Sequence, residues 1–266
     1  MKNNVCEKAK ELLKKSKILT SDVEELFSID FPSDDLTGFQ GGCSDGSKYY
    51  YVILMHYDLA SKQENNYSVI AKFDINTGEV VKLSERVSLH HANDMTYNPK
   101  DNTVIVCHNR PRAKWLSIFD ADTLEFIRKV EIAVDAYSID YNEKRNCYLL
   151  GISGSYNFVF LDENFELLND KVYSWDESTT RYVKQGACVD DEMLYFILWD
   201  GRHTHLDDFQ NGISVYNWDG EFLGVIEFNI GIREPENLSI IDGKIYAVCG
   251  DAVDRPALYR FTPKLK

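Results

Sequence analysis

Proline and glycine are scarce in this chain, which has 6 Pro and 15 Gly among its 266 residues. That composition excludes a collagen-like or low-complexity chain. Hydrophobic residues make up 44% and aromatic residues 13% of the sequence, so the material for a packed core is ample. The six cysteines include no CxxC pair, and most lie in or beside apolar runs, which predicts reduced, buried thiols.

Long apolar segments and an excess of basic residues are also lacking. No stretch approaches the ~20 apolar residues of a membrane span, and residues 1–17 lack the apolar region of a secretory signal, so we expect a cytoplasmic protein. With 29 Lys and Arg against 43 Asp and Glu, the net charge is -14. Such a chain repels phosphate backbones and anionic lipid, so neither nucleic acid nor a membrane is expected as a partner.

Short strands of one form recur along the chain. Five segments pair a strand, a polar turn and a second apolar strand, and tight-turn strand pairs such as residues 68–84 follow the first four. The equivalent positions are 53, 45, 47 and 51 residues apart by subtraction, close to the ~40–50 residues of a four-stranded propeller blade. These positions are Gln40, Asn93, Ser138, Gln185 and Glu236. The sequence therefore predicts an all-β fold, a five-bladed β-propeller of four-stranded antiparallel blades.

The two chain ends complete this prediction. The fifth unit offers three strands, the last at residues 257–261, and residues 25–31 alternate apolar and polar positions without another partner. We expect residues 25–31 to be the outer strand that closes the ring, which removes an exposed sheet edge. Residues 4–17 have apolar positions at helical spacing, so residues 1–20 form an amphipathic helix and residues 21–266 one propeller domain. Its blades begin near residues 40, 91, 137, 185 and 236.

Loop content differs between the two faces of such a ring. Turns from first to second strands, and from third to fourth, share one face, and here they are short and polar. The connections on the other face hold all six histidines, and the chance alternative is that loops are polar anyway. We therefore predict a ligand pocket at the channel mouth on this histidine-bearing face. The histidines are His56, His90, His91, His108, His203 and His205, accompanied there by Arg110, Arg112, Arg202, Arg233 and Arg255.

The start of each inner strand supplies a polar group to the predicted channel. His91, Asn93 and Asp94 lie within four residues, a combination suited to acid/base work or cation binding, or to capping of the strand. We predict His91, Asp94 and Glu236 as catalytic residues, and Asn93, Asp94 and Glu236 as ligands of a divalent cation, Ca²⁺ or Mg²⁺ before Zn²⁺. The predicted ligand-binding residues are Gln40, His56, Asn93, His108, Tyr137, Gln185, Arg202, His203, Glu234 and Asn237.

The repeat form resembles the propeller superfamily of NHL-type, YVTN-type and lactonase-like proteins over residues 25–262. In lactonase-like enzymes an acidic and Asn-rich set at the channel holds a cation, which the resemblance implies for Asn93, Asp94, Glu236 and Asn237. Residues 37–41, 234–237 and 242–246 resemble plant-type glutaminyl cyclotransferases, which are also five-bladed. Where that family has an acidic residue in the second strand of the first blade, this chain has three tyrosines at residues 49–51.

Standard catalytic motifs are absent: the sequence has no Walker motif, GxSxG elbow, HExxH or EF-hand loop. The function is therefore predicted from the channel face alone. We expect an enzyme that acts on a small polar molecule or a peptide end, by hydrolase, lyase or cyclase chemistry that a cation can assist. The alternative is a non-catalytic propeller that binds a small ligand or a protein partner through the same face, since the fold alone does not decide function.

Overall fold

Antiparallel β-strands carry most of the regular structure in the computed structural model. The structure describes residues 5–58, 63–89, 91–110, 114–201, 210–250 and 255–266. A helix α1 (Val5–Leu13) comes first, and a long strand β1 (Ile18–Ser28) follows it. No helix within the described ranges has the length and apolar character that crossing a membrane requires.

Three four-stranded sheets follow in chain order, and within each sheet neighbouring strands are antiparallel. Sheet 1 contains β2 (Gly38–Ser44), β3 (Tyr49–Asp58), β4 (Gln63–Asp74) and β5 (Val80–Leu83). Sheet 2 contains β6 (His91–Asn98), β7 (Thr103–Arg110), β8 (Trp115–Asp120) and β9 (Phe126–Glu131). Sheet 3 contains β10 (Ala136–Asn142), β11 (Cys147–Ile152), β12 (Asn157–Leu161) and β13 (Tyr173–Ser174).

The remaining strands of the described chain form one nine-stranded sheet, after a short 3-10 helix (Glu177–Thr179). Its first group is β14 (Val183–Val189), β15 (Met193–Trp199), β16 (Asn211–Asn217) and β17 (Phe222–Phe228). Its second group is β18 (Glu234–Pro235), β19 (Ser239–Ile241), β20 (Lys244–Gly250) and β21 (Ala257–Leu265). Strand β1 lies between β17 and β21 and joins the two groups.

Strand β1 contains part of the segment 25–31 that the sequence pattern assigned to ring closure. It pairs antiparallel with β21, from Ser28 opposite Ala257 to Leu19 opposite Leu265, and its first residues pair parallel with β17. The strand is longer at its start than predicted because β21 continues to Leu265 and offers an edge to pair with. It ends at Ser28, and the buried Ile29 donates its backbone N–H to Pro256 O at 2.6 Å.

Helix α1 packs its apolar side against the same region. Cys6, Ala9 and Leu13 are buried in a cluster that includes Phe228 and Phe261. The helix ends earlier than residue 17 of the sequence prediction because the backbone N–H groups of residues 15 and 16 both bond Leu12 O. Lys17 O already accepts from the backbone N–H of residue 225, so the chain has joined the sheet edge by that point.

Buried apolar residues of the described chain form five clusters, and each lies between two neighbouring groups of strands. Ile53 and Ile70 of sheet 1, for example, pack against Met95 and Val106 of sheet 2. All six cysteines are free and buried, in agreement with the sequence prediction. The core is therefore divided among the contacts between sheets, as face-to-face packing of apolar strand surfaces requires.

The first and last strand groups are also joined at their inner edges, through Asn237. This side chain is fully buried, and its Nδ2 donates to Gly42 O and to the Tyr50 hydroxyl, both at 2.6 Å. Its Oδ1 accepts from the backbone N–H of Val248 at 2.8 Å. One amide thus connects β20 with β2 and β3 across nearly 200 residues of sequence, a separation of 195 to Gly42.

Replacing Asn237 by Ala should lower the free energy of unfolding by about 3 kcal/mol, because it leaves a buried N–H and a buried carbonyl without partners. Tyr50→Phe removes only one acceptor and should cost about 1 kcal/mol. Urea denaturation followed by circular dichroism measures both values. A loss below that of Tyr50→Phe would show that Asn237 does not hold the two ends together.

Candidate functional site

Asp94 lies at the centre of the inner strands and bonds to two of them. Its side chain is fully buried, and Oδ2 accepts from the backbone N–H of Ile139 on β10 at 3.2 Å and of Ala187 on β14 at 3.1 Å. Within the described chain Oδ1 has no hydrogen-bond partner. Burial raises the pKa of Asp94 well above its usual value, and the charge of Asp140 adds to this. Asp94 therefore holds the strands together and still offers one oxygen.

Glycine makes this close approach of the inner strands possible. A Cβ atom on Gly41 would lie 2.3 Å from the Cα of Asp94, and one on Gly186 would lie 2.5 Å from the Cα of Asn237. The Gly186 Cβ would also come within 3.1 Å of Asp94 Oδ1. Larger side chains at either position would push the strands apart, so the two glycines set how closely the inner strands approach.

Two more carboxyl groups belong to the same region, and both come from the segment that begins with β18. Glu234 is half-buried and its Oε1 accepts from Gln185 Nε2, whereas Glu236 is buried. Burial raises the pKa of Glu234 to about 7. The pKa of Glu236 is raised well above its usual value by burial first and then by the charges of Glu234 and Asp94. Burial thus opposes the ionisation of all three groups, and at Glu236 the neighbouring carboxyl charges oppose it further.

Among the described residues, no Lys, Arg or His forms an ion pair with Asp94, Glu234 or Glu236. Gln40 is also buried, and its Oε1 has no hydrogen-bond partner within the described ranges. An arrangement of this kind favours a ligand that brings N–H donors or positive charge.

The other polar residues predicted for the channel are placed as follows. Asn93 is buried on β6, next to Asp94. Tyr137 is buried on β10, and Lys184 Nζ lies 4.5 Å from the centre of its ring. Asn237 uses both of its amide protons in the closure described above, so it has only a carbonyl lone pair left to offer a ligand.

Three of the predicted histidines lie at corresponding ends of their sheets. His91 begins β6, and His108 lies on β7 opposite Ala92. His56 lies near the end of β3, beside the residue that pairs with the start of β2, and its ring is 5.4 Å from that of Tyr67. His91 and His56 are half-buried. The predicted residues His90, Arg112, Arg202, His203 and His205 lie outside the described residues.

His108 has a place in the core of sheet 2. It is buried, with Nδ1 bonded to Leu89 O at 2.7 Å and Nε2 bonded to Ser117 Oγ at 2.9 Å. Both ring nitrogens are therefore used inside the protein, and the ring ties β7 to β8 and to the segment before β6. The apolar sequence of β7 does not indicate these hydrogen bonds, because a periodic pattern gives the position of a side chain but not its partners.

No group of three His, Cys, Asp or Glu side chains in the described residues is arranged to hold a metal ion. The predicted ligands Asn93, Asp94 and Glu236 include only two of these residue types, so a divalent cation there stays a prediction. An amide oxygen and two carboxyls are ligands that Ca²⁺ accepts. Part of the capacity of these oxygens to bind a cation is already used, since Asp94 Oδ2 accepts hydrogen bonds from two backbone N–H groups.

Sequence reasoning missed Asp140, a fourth acidic group on an inner strand. It accepts from Thr96 Oγ1 at 2.7 Å and from the backbone N–H of Val189 at 2.8 Å, so it joins β6, β10 and β14. Burial raises its pKa to about 6. The sequence indicates an inner-strand position for Asp140, because it lies two residues after Ser138, one of the equivalent positions of the repeat.

Comparison with known proteins supports the architecture. No protein-family model matches the chain, and no curated protein matches its sequence. The structure is similar to that of glutaminyl cyclase from Myxococcus xanthus, with a TM-score of 0.66, 9% identity and coverage of 94% of this chain and 98% of that one. It is also similar to a chain of a nidogen/laminin complex, with a TM-score of 0.52, 11% identity and coverage of 85% and 86%. These identities show the fold alone: the chain is a β-propeller.

Substituting Gln for Glu236 should stabilise the protein at pH 8, because the raised pKa of Glu236 opposes its ionisation in the folded state. The folded protein binds this proton more tightly than the unfolded chain. The unfolding free energy of the wild type should therefore fall as pH rises above about 4.5, the ordinary value for Glu. The advantage of the variant should vanish below that pH.

Denaturation curves at pH 4, 6 and 8 measure this difference, with Glu163→Gln as the matched control. Glu163 is exposed in the turn after β12, so its variant should show no such pH-dependent gain. Equal effects of the two substitutions at all three pH values would contradict the burial argument.

Proposed function

We propose that the protein is an enzyme that transfers protons on a small amine-bearing molecule or a peptide amino terminus, at the channel end where Glu234 and Glu236 lie. The observation that carries this proposal is the convergence of three carboxyls with no described basic partner. Ligand nitrogens that donate hydrogen bonds, or carry positive charge, satisfy acceptors such as Gln40 Oε1 and the ionised form of Glu234. A pocket with a few convergent polar groups and perturbed pKa values is typical of an active site.

The two glutamates are suited to different roles because their environments differ. Glu234 is half-buried and its pKa of about 7 lets it exchange a proton near neutral pH, which a general acid/base requires. Glu236 is buried and burial raises its pKa well above its usual value, which favours the protonated form that can donate a hydrogen bond to a carbonyl oxygen of the substrate. Gln185 orients Glu234 through its amide. His91, half-buried at the start of β6, is the second acid/base candidate.

We also propose that the propeller has five blades. Sheets 1 to 3 supply three of them, and the nine-stranded sheet supplies two, namely β14 to β17 and β18 to β21 with β1. The pairing of β1 with β17 merges these two blades into one sheet, which hides the boundary between them. Five clusters of buried apolar residues support this count, since a closed ring has as many contacts between blades as it has blades.

Glu234→Gln should lower kcat by at least about 100-fold, because it removes the proton acceptor. Glu236→Gln keeps an N–H donor and should lower kcat by about tenfold or less. The first probe is a peptide with amino-terminal glutamine, chosen because the similar Myxococcus xanthus structure is a glutaminyl cyclase. Ammonia release and loss of the free amine are the two readouts, with Glu163→Gln as the control that keeps full activity.

The wild-type rate should rise with pH through about 7 as Glu234 ionises. Amine-bearing probes could also bind without turnover, and bind equally well to Glu234→Gln. This result would favour the alternative, a non-catalytic binding propeller. An active Glu234→Gln variant with an inactive His91→Ala variant would transfer the acid/base role to His91. Turnover that survives both substitutions would refute the proposed site.

A further inference from the structure

A pocket lies at the opposite end of the inner strands from Glu234 and Glu236, on the face whose turns are short. Its volume is about 220 Å³, and its lining comes from β2, β6, β10, β14 and β19 and from the turns that follow the first three. Gly46, Pro99 and Glu143 of those turns are exposed, so the pocket opens to solvent there. The sequence pattern assigns no functional residues to this face, because its turns are short and polar.

Carboxylates and hydroxyl groups supply the polar lining of this pocket. Asp45 comes from the turn after β2, whereas Asp140 and Glu143 come from β10 and the turn after it, so the acidic groups belong to two different sheets. Ser44 and Ser239 add hydroxyl groups. None of the described lining residues is basic. The pocket therefore presents acceptors and negative charge from more than one side.

The basic side chains of the turns after β2, β6 and β10 are engaged elsewhere. Lys48 Nζ lies over the Tyr49 ring, 4.8 Å from its centre. Lys100 Nζ donates to Asn146 at 2.8 Å, and Lys144 Nζ donates to Asp191 at 3.1 Å. Arg145 lies over the Trp218 ring, 4.4 Å from its centre, and donates to a backbone carbonyl. The acidic groups of the pocket are thus not neutralised by the turns around it, which leaves the position open to a cation from solution.

Two tyrosines contribute aromatic wall to the pocket. Tyr97 and Tyr141 both line it, and the hydroxyl of each bonds an Asn side chain of its own turn, at 3.1 Å and 2.6 Å. These bonds hold the rings in place. The pKa of Tyr97 is raised by burial first and then by the charges of Asp45, Asp122 and Glu143, in line with a negative potential at the ring. Aromatic faces beside carboxylates favour organic ammonium groups, through cation–π attraction added to charge.

We propose that this pocket binds a small organic diamine, with one ammonium group at Asp140 and the other towards Asp45 or Glu143. Its volume equals that of about seven water molecules in the liquid, which suits a chain of four carbons with an amine at each end. Asp140 is held by Thr96 and by the backbone N–H of Val189, so its carboxylate is fixed in place before the ligand arrives. A neutral molecule of the same length gains nothing from the charges.

The experiment uses 1,4-diaminobutane as the probe and isothermal titration calorimetry on the full chain. The wild type should bind it with a Kd below about 1 mM, whereas 1,4-butanediol, equal in length and uncharged, should not bind. Asp140→Asn should weaken binding at least about tenfold, and Glu143→Gln about threefold. Glu143 is exposed, so its variant tests the pocket even if Asp140→Asn disturbs the fold.

Two controls separate this pocket from the site of the proposed enzyme. Glu163→Gln, an exposed acid outside the pocket, should bind the diamine like the wild type, and Glu234→Gln should keep the binding that Asp140→Asn and Glu143→Gln weaken. Binding that is lost in Glu234→Gln and kept in the Glu143 and Asp140 variants would move the diamine to the other end of the channel and overturn the proposal. Absence of binding, or equal binding of the diol, would overturn it as well.

Discussion

Each inner strand has one edge without a partner strand, and the rest of the structure depends on how its backbone N–H groups are satisfied. In the described chain β2, β6, β10 and β14 all lie at the ends of their sheets. Side chains from neighbouring inner strands bond these edges: Asp94 accepts from Ile139 and Ala187, and Asp140 accepts from Val189. A buried N–H group without an acceptor is costly, so the inner strands need these acceptors to meet.

The use of carboxyl side chains as acceptors for these backbone N–H groups determines the chemistry along the inner strands. Carboxylates accept hydrogen bonds from backbone N–H groups better than neutral side chains do, but burial raises their pKa values, as it does for Asp94 and Asp140. Each carboxyl also has more accepting capacity than the strands consume, which leaves Asp94 Oδ1 without a donor among the described residues. A structural device for closing the ring thus leaves acceptors in the channel, where Glu234 and Glu236 add to them. The proposed preference for hydrogen-bond donors and cations rests on these acceptors.

The β-propeller fold and the free, buried cysteines could be predicted from sequence because they depend on local patterns. Repeat spacing and strand alternation are properties of neighbouring residues, so Gln40, Asn93 and Gln185 were placed on inner strands without any coordinates. The extent of β1 could not be predicted, since it depends on a partner strand more than 200 residues away, with Leu19 opposite Leu265. The use of His108 in the core depends likewise on contacts between strands that periodicity does not contain.

The channel residues also link its two ends electrostatically. The charge of Asp140, at the pocket on the short-turn face, raises the pKa of Asp94, and the charge of Asp94 raises the pKa of Glu236 at the other end. A cation beside Asp140 offsets its charge and so lowers the proton affinity of Asp94, with a smaller effect on Glu236. By thermodynamic reciprocity, ionisation of Asp94 would strengthen binding of a cation beside Asp140 by the same factor. The coupling needs no movement of the strands, because it acts through the charges of buried groups.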